Sequence, residues 1–597
     1  MINLLDAICK LGKLYVEREE LDEIAVLLDN KDIGAVLLVN LIEDENNIIY
    51  YENISQEDYN PNDNTKYLYK KGSSRGINIS PSALITDVNN TFNQKFFKWF
   101  EKNKKKNEYF EIIYNLINSE KERILSDLSN IYDTLDVGKS NVLLTLRIYK
   151  NNQYNYLGDN KLFMDIFKEI AFEKFYKKGS KKIKGSSACY LCDDEKEVYG
   201  LVSSAVGFAF STPEKIGNVP EVSIDNQWKL SPICEDCALY LAAGKKFVEN
   251  YLNFKEFGLS YYTIPNFLFD SKDGFDRLYK VLKSFESENT QNSKDEVAIE
   301  NKLNKLVKKI NDVVEFKFLF YEASNNAFDI LAYIESVIPS WLNNLSESQY
   351  KIANFDFFNE SNLKNIFGDK HTGNVIDLVN LNEKYYLCSE DNWFKKFLRD
   401  FIFSFSKKMY IDLVVNVFSN KKLDYNFLMS RLMSKIRSNW RNNENYALKL
   451  SVLKSLMLLT LFKDLNLIKG VKNMESDEFS LNSILDAPDK NASFLLGVLT
   501  KRLLNKQYKE LKSTPFYNKL WGLSLDQKKI KKLYPMVINK LREYNLAYLK
   551  LEEDISKNLI NSENNWKLTR DETSYFFVLG FTMPYFDNNK KEDDLNE

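Results

Sequence analysis

Histidine is nearly absent from this chain, since one residue, His371, stands among 597. Zinc hydrolases with two histidine ligands, HD-type phosphohydrolases and HEXXH proteases are therefore excluded. A Ser-His-Asp triad would depend on His371, but Gly368–Gly373 predicts a surface turn, and no G-x-S-x-G sequence supplies a nucleophile. The Walker A loop, G-x-G-x-x-G and Gly-Gly-Asp-Asp are missing as well, so the common nucleotide-binding and palm-polymerase motifs are not available.

Long apolar runs are also lacking. No stretch approaches the ~20 apolar residues that a membrane-spanning helix needs. The start of the chain, Met1–Asp6, carries neither a basic region nor a cleavage site. The sequence therefore predicts a cytoplasmic protein without a membrane partner. Cysteine thiols stay reduced in that compartment, which favours metal binding over disulfides.

Four of the six cysteines form two C-x-x-C pairs separated by 41 residues, and Cys9 and Cys388 stand alone. Two such turns can supply the four thiolates of a tetrahedral zinc site. A closed four-thiolate shell leaves no open position for water or substrate, so the pattern predicts a structural Zn(II). The alternatives are free thiols or a redox pair, although a redox pair needs only one C-x-x-C. The predicted ligands are Cys189, Cys192, Cys234 and Cys237.

Charge is nearly balanced, at a net −2, but it is unevenly distributed. Residues 17–63 are acidic, whereas lysine and arginine concentrate at residues 174–184, 407–441 and 501–542. For any one stretch a solvated helix face is an adequate explanation. Three stretches together indicate grooves that follow phosphates. The candidate nucleic-acid contacts in them are Lys181, Lys182, Arg431, Arg437, Arg441, Lys528, Lys529, Lys531 and Lys532.

The pattern of apolar residues predicts an α+β lobe over residues 1–385, with a zinc insertion at about 185–255, followed by helices only. A helical region at 386–472 precedes a helical bundle at 473–597. Within the helical region, apolar residues recur every four positions and predict one buried helix face. They are Phe397, Phe401, Phe405, Met409 and Leu413.

Four features are typical of one known family: the acidic α+β start, the widely spaced four-cysteine insertion, and two C-terminal stretches, Phe494–Leu499 and Ser574–Phe581. On these features the chain resembles the large subunit of the type I-B CRISPR Cascade interference complex. The resemblance covers essentially the whole chain. The family offers no catalytic signature to carry over, so the resemblance implies a subunit that is not an enzyme.

The resemblance implies a protein of antiviral defence whose partners are CRISPR RNA, double-stranded target DNA, the other Cascade subunits and a helicase-nuclease. In such complexes guide pairing reads most of the target, and the protein reads a short flanking motif, the PAM. The large subunit also stabilises the R-loop and recruits the helicase-nuclease. Its C-terminal bundle resembles the family's small subunit, for which Met474 is a suitable internal start.

Two local features fit these roles. The loop Gly72–Gly76 begins and ends with glycine and contains Arg75. Because arginine can bind guanine through two hydrogen bonds, Arg75 is the candidate residue for reading the motif. The alternative is a plain hairpin loop. Aromatic residues lie between the basic residues of the helical part and could stack on the bases of a displaced strand. The alternative is that these aromatics face the core. They are Trp440, Tyr508, Phe516, Tyr517, Trp521 and Tyr534.

Two other functions remain open at this point. The first is a zinc-bearing, polymerase-like nucleic-acid enzyme, for which Asp193-Asp194 is the nearest adjacent carboxylate pair. That pair follows a predicted zinc ligand and lacks a glycine turn. The second is a purely structural helical scaffold without DNA contact.

Overall fold

The computed structural model describes residues 2–29, 33–72, 76–135, 141–208, 223–256, 259–267, 272–289, 314–324, 327–355, 360–368, 393–468 and 484–583. These residues form two compact units. The first consists of Met1–Asn253 and Glu322–Asp329, and the second of Phe254–Tyr321 and Ile330–Glu597. The expected boundaries after residues 385 and 472 lie outside the described residues and stay predictions. The same applies to Arg75, His371, Cys388 and Met474.

The first unit is built on a sheet whose two interior strands are buried. Its strand order is β2-β1-β4-β3, with β5 paired to β4, and β1 runs parallel to β4. Residues 36–39 of β1 are fully buried, because an unbroken apolar run suits a strand covered on both faces. The strands of this unit are β1 Ile33–Glu43, β2 Ile49–Asp58, β3 Ala83–Leu84, β4 Asn141–Lys150, β5 Gln153–Tyr156, β6 Lys177–Lys178, β7 Lys181–Lys182, β8 Lys184–Ala188, β9 Glu195–Tyr199 and β10 Ile233–Cys234.

Helices surround this sheet and connect it to a small second sheet of order β10-β9-β8. Short polar side chains begin several of them. Asp22, for example, accepts a hydrogen bond from the Ala25 amide at 2.7 Å, which satisfies one free N–H of the first turn. The helices are α1 Ile2–Arg18, α2 Glu23–Leu27, α3 Val88–Thr91, α4 Lys98–Asn103, α5 Glu108–Ser119, α6 Lys121–Tyr132, α7 Lys161–Tyr176, α8 Val202–Ala205 and α9 Glu235–Tyr251.

The second unit begins with a sheet of order β11-β12-β13-β14 and continues with helices. From residue 393 onward the regular elements described are all helical, so the predicted fold class is confirmed. The strands are β11 Asn253–Glu256, β12 Leu259–Phe267, β13 Val314–Ser324 and β14 Ala327–Val337. The helices are α10 Lys272–Asn289, α11 Pro339–Ala353, α12 Glu360–Phe367, α13 Trp393–Ile402, α14 Lys407–Phe418, α15 Tyr425–Arg441, α16 Asn445–Asp464, α17 Pro488–Leu511, α18 Gln527–Glu543, α19 Leu549–Asn561 and α20 Arg570–Thr582.

The prediction of one continuous helix face from Phe397 to Leu413 is wrong at the middle of that segment. The chain breaks between α13 and α14, and the side chain of Phe405 is 56% exposed. Ser406 causes a new start, because its hydroxyl accepts a hydrogen bond from the Met409 amide at 3.3 Å. The four-residue repeat therefore spans two short helices rather than one.

A pair of glycines sets the closest helix crossing of the second unit. A Cβ on Gly497 of α17 would lie 2.0 Å from the Phe577 carbonyl oxygen, and one on Gly580 of α20 would lie 2.0 Å from that of Phe494. Each glycine therefore admits the backbone of the other helix. The two stretches that carried the family resemblance are the two sides of this crossing.

One helix among the described residues, α16, is long and apolar enough to span a membrane. Most of its apolar window, 61%, is buried inside the protein. Burial of this kind is typical of a core helix, which passes the same test of length and composition.

Candidate metal centre and nucleic-acid interface

The first cysteine pair lies in the turn between β8 and β9. The Cys189 amide donates a hydrogen bond to the Asp194 carbonyl at 2.8 Å, and the Asp193 amide donates one to the Cys189 carbonyl at 2.8 Å. Asp193 takes the left-handed backbone conformation, with φ of 61°, which aspartate tolerates better than most residues. These bonds fold the chain back, so that both sulfurs lie at the same end of the hairpin.

The second pair lies where β10 passes into α9. Cys234 directly precedes α9, and Cys237 lies in its first turn. The Cys234 amide points at the Cys189 sulfur, 3.3 Å away, and the Tyr190 amide donates to the Pro232 carbonyl at 2.8 Å. Backbone hydrogen bonds thus join the two turns directly.

The four sulfurs form a cluster of the size that a metal ion requires. The Sγ atoms of all four cysteines lie within 4.8 Å of one another, and those of Cys192 and Cys234 are 3.8 Å apart. A tetrahedral zinc with Zn–S bonds of ~2.3 Å has sulfur–sulfur edges of about 3.8 Å. Three of the cysteines are buried and Cys192 is exposed. The donor set and its spacing therefore fit Zn(II).

The thiols of the cluster differ in acidity. A hydrogen bond from the Cys237 thiol is the main cause that lowers the pKa of Cys189 to about 4. Hydrogen bonds from backbone amides also lower this pKa, whereas burial raises it. Burial is the main cause that raises the pKa of Cys234 to about 12. Several thiolates this close repel one another, so a bound divalent cation is needed to hold four of them together.

A fifth cysteine touches the same helix, which the spacing of the pairs could not reveal. Helices α1 and α9 cross closely, because a Cβ on Gly12 would lie 1.8 Å from the Tyr240 carbonyl oxygen and one on Gly244 would lie 2.0 Å from that of Ile8. The crossing brings the Cys9 thiol 3.8 Å from the Cys237 carbonyl oxygen. Cys9 therefore packs beside the cluster, outside its four-sulfur shell.

The carboxylates beside the cluster are bound to a lysine. The Lys196 ammonium lies 3.1 Å from an Asp194 oxygen and 3.0 Å from an Asp236 oxygen, so it bridges the two cysteine turns. The hydrogen bonds that Lys196 donates to Asp236 and Asp194 raise the pKa of its ammonium group. The Asp194 carboxylate of the Asp193-Asp194 pair therefore takes part in an ion pair beside the cysteine cluster.

The basic stretch before the first cysteine pair forms a projecting hairpin. Strands β6 and β7 pair Lys177 with Lys182 and Lys178 with Lys181, around a left-handed Gly179 with φ of 63°. Lys181 and Lys182 are exposed. Lys181 also forms an ion pair with Asp225 at 3.0 Å, so Lys182 is the freer of the two candidate contacts.

The three candidate arginines of α15 have different surroundings. The Arg437 Nε donates to the Leu523 carbonyl at 2.8 Å, and its Nη2 lies 2.7 Å from an Asp571 oxygen. The Arg431 guanidinium lies over the Phe405 ring, 4.1 Å from its centre. Arg441 is exposed, with its Nε 3.4 Å from the Arg437 carbonyl oxygen. Arg437 joins three segments of the fold, whereas Arg441 is available to a ligand.

We expect Arg437→Gln to destabilise the second unit by about 1–3 kcal/mol, because it removes charge-assisted hydrogen bonds from a half-buried site. Arg441→Gln, at the exposed end of the same helix, should change the free energy of unfolding by less than about 0.5 kcal/mol. Denaturant unfolding followed by hydrogen exchange of the α15 and α20 peptides measures both. Equal effects of the two substitutions would show that Arg437 has no structural role.

The lysines of α18 divide into bound and free groups. The Lys529 ammonium donates to the Ser524 carbonyl at 2.6 Å, and Lys531 lies 2.9 Å from a Glu563 oxygen. Lys528 and Lys532 lie one helical turn apart and are exposed. Among the described residues neither has a carboxylate within ion-pair distance. We call these two residues the α18 stripe.

Two of the six interleaved aromatic residues are buried, three are half-buried and one is exposed. Trp440 and Phe516 are 2% and 7% exposed, and Tyr517 stacks on Trp440 with ring centres 4.5 Å apart. The Tyr534 hydroxyl donates to the Glu552 carbonyl at 2.7 Å. Trp440 and Phe516 therefore face the core, as the alternative to base stacking predicts, and they offer no ring face to a base. Tyr508, in contrast, is 60% exposed.

Arg75 lies outside the described residues, but the two ends of its loop are described. The Gly72 amide donates to the Asn78 side chain at 3.2 Å, and the Lys95 ammonium donates to the Gly76 carbonyl. A Cβ on Gly72 would lie 1.8 Å from the Ile77 carbonyl oxygen. The base of the loop is therefore closed, and Gly72 is required for that closure.

Three family models match the chain in order. The N-terminal, central and C-terminal domains of the CRISPR-associated protein TM1802 family match residues 4–169, 186–337 and 397–594. The central match contains both cysteine pairs, and the C-terminal match contains the α18 stripe and the glycine crossing. A comparison with curated proteins finds none that matches. Because the three models together span most of its length, the chain belongs to the CRISPR-associated TM1802 family and so to the proteins of CRISPR defence.

Proposed function

We propose that this chain is the non-catalytic large subunit of a type I-B CRISPR RNA-guided surveillance complex. Family membership and the resemblance support the assignment. In this role the subunit reads the PAM, stabilises the R-loop and recruits the helicase-nuclease. Its partners are CRISPR RNA, double-stranded target DNA and the other Cascade subunits, and it works in the cytoplasm.

The observation that carries the DNA-binding part of the proposal is the α18 stripe. Two exposed lysines on one helix face have no described carboxylate partner, although the chain as a whole is nearly neutral. Free ammonium groups attract phosphates regardless of sequence. Because Trp440 and Phe516 are buried, we assign strand holding on this unit mainly to phosphate contacts rather than to base stacking.

Motif reading is assigned to the loop after Gly72. A short flanking motif needs few donors, and one arginine can distinguish guanine by two hydrogen bonds. The closed base of the loop, with Asn78 at one end and Lys95 at the other, supports a loop held at a fixed place on the first unit. Arg75 is the reading residue in this proposal.

The metal is proposed to be a structural zinc held by the four clustered cysteines. Four sulfur donors fill a tetrahedral shell, so this site has no position for a substrate. Its place is the junction of β8, β9, β10 and α9. The zinc would fix the start of α9.

The proposal is tested with the assembled complex and a guide-matched target duplex. We expect Lys528→Gln/Lys532→Gln to weaken binding and to reduce the slope of log affinity against log salt by about 1.4–1.8, since each lost phosphate contact removes ~0.7–0.9. Fluorescence anisotropy across a salt series measures both quantities.

The matched control is Lys540→Gln/Lys550→Gln, which removes the same charge from lysines of this unit that lie beside carboxylates, Glu543 and Asp554. The control should leave the slope unchanged. If the stripe variant also keeps the parental slope, α18 does not bind the strand. If the parental complex shows no salt-dependent affinity at all, the purely structural scaffold is the better account.

A further inference from the structure

Two segments of the first unit are tied together near Asp29. The Asp29 amide donates to the Tyr69 carbonyl at 3.0 Å, and the Lys71 amide donates to an Asp29 carboxylate oxygen at 2.9 Å. The end of α2 and residues 69–71 therefore lie side by side. This junction is unrelated to the cysteine cluster and to the α18 stripe.

Three lysines from three different parts of the chain converge on this junction. The Lys70 ammonium donates to the Leu27 carbonyl. The Lys246 ammonium, from α9, donates to the Val26 carbonyl at 2.5 Å and to the Leu28 carbonyl. Because those carbonyls are consecutive, the two ammonium groups are neighbours.

The third lysine, Lys174, comes from α7. Its ammonium donates to the Lys71 carbonyl at 3.2 Å, beside the same junction. The side chain of Lys70 is 17% exposed, and Lys174 is half-buried. The lysine cluster, as we call Lys70, Lys174 and Lys246, is thus largely withdrawn from water and open on the side of Lys174.

The lysine cluster carries more positive charge than its neighbours can neutralise. Asp29 lies 3.7 Å from the Lys70 ammonium, and the carbonyl end of α2 adds a partial charge of about −0.5 at most. When all three lysines are charged, the ammonium groups exceed these partners by roughly 1.5 charges. The nearby Glu249 is bound to another lysine, Lys245.

The pKa values of the lysines agree with this excess of positive charge. Burial, followed by the charge of Lys70, lowers the pKa of Lys246 to about 7 and that of Lys174 to about 8. Burial also lowers the pKa of Lys70. A bound anion would oppose these shifts by stabilising the charged amines.

Hydrogen-bond donors are in excess as well. Three ammonium groups carry nine N–H donors. The described hydrogen-bond partners are the carbonyl oxygens of Leu27, Val26, Leu28 and Lys71. The Asp29 carboxylate, 3.7 Å from Lys70, accounts for at most one more donor. About four donors therefore remain for a ligand, and a ligand with several acceptor oxygens and a single negative charge matches both the donors and the charge.

We propose that Lys70, Lys174 and Lys246 bind one phosphate group of a nucleic-acid backbone. The assignment to nucleic acid rests on the proposed function, while the anion site rests on the cluster itself. Lys71 directly precedes Gly72, where the proposed motif-reading loop begins. A phosphate held here would fix the position of the duplex relative to the protein, and contacts to the base edges would then read the sequence.

The test uses Lys174→Gln in the full-length chain, because Lys174 makes one described hydrogen bond and its loss should leave the fold intact. A short labelled duplex of arbitrary sequence is the first probe. We expect affinity to fall about tenfold, as for one charge-assisted hydrogen bond, and the salt slope to fall by ~0.9. Lys174→Arg should restore both, and the exposed Lys13→Gln should change neither.

Inorganic phosphate is the second probe, compared with chloride at equal ionic strength. Phosphate should raise the melting temperature of the parent and of Lys13→Gln, but not that of Lys174→Gln, because a ligand stabilises only a protein that binds it. If Lys174→Gln keeps the duplex affinity and the salt slope of the parent, the proposal is overturned. If the parent binds no duplex, the assignment of this cluster to nucleic acid fails, whereas the proposed function is decided by the salt series with the assembled complex. Loss of the phosphate effect in Lys174→Gln then assigns the site to free phosphate, and overturns its assignment to nucleic acid.

Discussion

Replacing Cys234 by serine should reduce zinc from about one ion per chain to nearly none, and should unfold the start of α9. Cys234 offers a sulfur to the cluster, and its amide also points at the sulfur of Cys189. Structural zinc contributes on the order of 10 kcal/mol in small domains, so the local loss should be among the largest that any single substitution causes here. Elemental analysis and hydrogen exchange of residues 184–251 measure the two effects.

Cys9→Ala is the control for this experiment. Cys9 is buried beside Cys237 but lies outside the four-sulfur shell, so this variant should keep its zinc. Cys192→Ser should give an intermediate result, because Cys192 is exposed and water can replace its sulfur. Freshly purified, reduced parent protein without metal would refute the zinc assignment, and zinc loss from Cys9→Ala equal to that from Cys234→Ser would refute the ligand set.

Gly497→Ala should be the second large effect. The added Cβ would meet the Phe577 carbonyl at 2.0 Å, and a backbone atom cannot move aside by changing a rotamer. Overpacking of a core costs 1–3 kcal/mol and occasionally more, against ~1 kcal/mol gained in helix propensity. Because the clash is with backbone, the cost should lie at the upper end of this range, and we expect a net loss of about 2 kcal/mol in the free energy of unfolding of the second unit.

The control for the glycine crossing is Asn505→Ala, on the exposed side of the same helix α17. It should be neutral or slightly stabilising, because alanine is a better helix former than asparagine. Thermal unfolding with hydrogen exchange of α17 and α20 peptides reports on both variants. An unchanged Gly497→Ala protein would mean that α17 and α20 do not cross as closely as described.

Periodicity and local motifs were sufficient for the main elements of the fold. The apolar pattern of residues 1–385 predicted an α+β lobe, and its buried strands β1 and β4 are apolar runs of the kind that can be covered on both faces of a sheet. The same pattern predicted only helices after residue 385, and the described helices of that part begin at Trp393. The C-x-x-C spacing predicted the four-cysteine cluster, because two short turns impose their own geometry.

The tertiary structure decided what local patterns leave open. A lysine or an aromatic residue has the same sequence signature in a core, an ion pair or a binding surface. Only packing showed that Arg437 joins segments of the fold, that Trp440 is buried, and that the α18 stripe is free. The lysine cluster and the contact of Cys9 with α9 join residues more than forty positions apart, and a pattern read along the chain does not encode such distances.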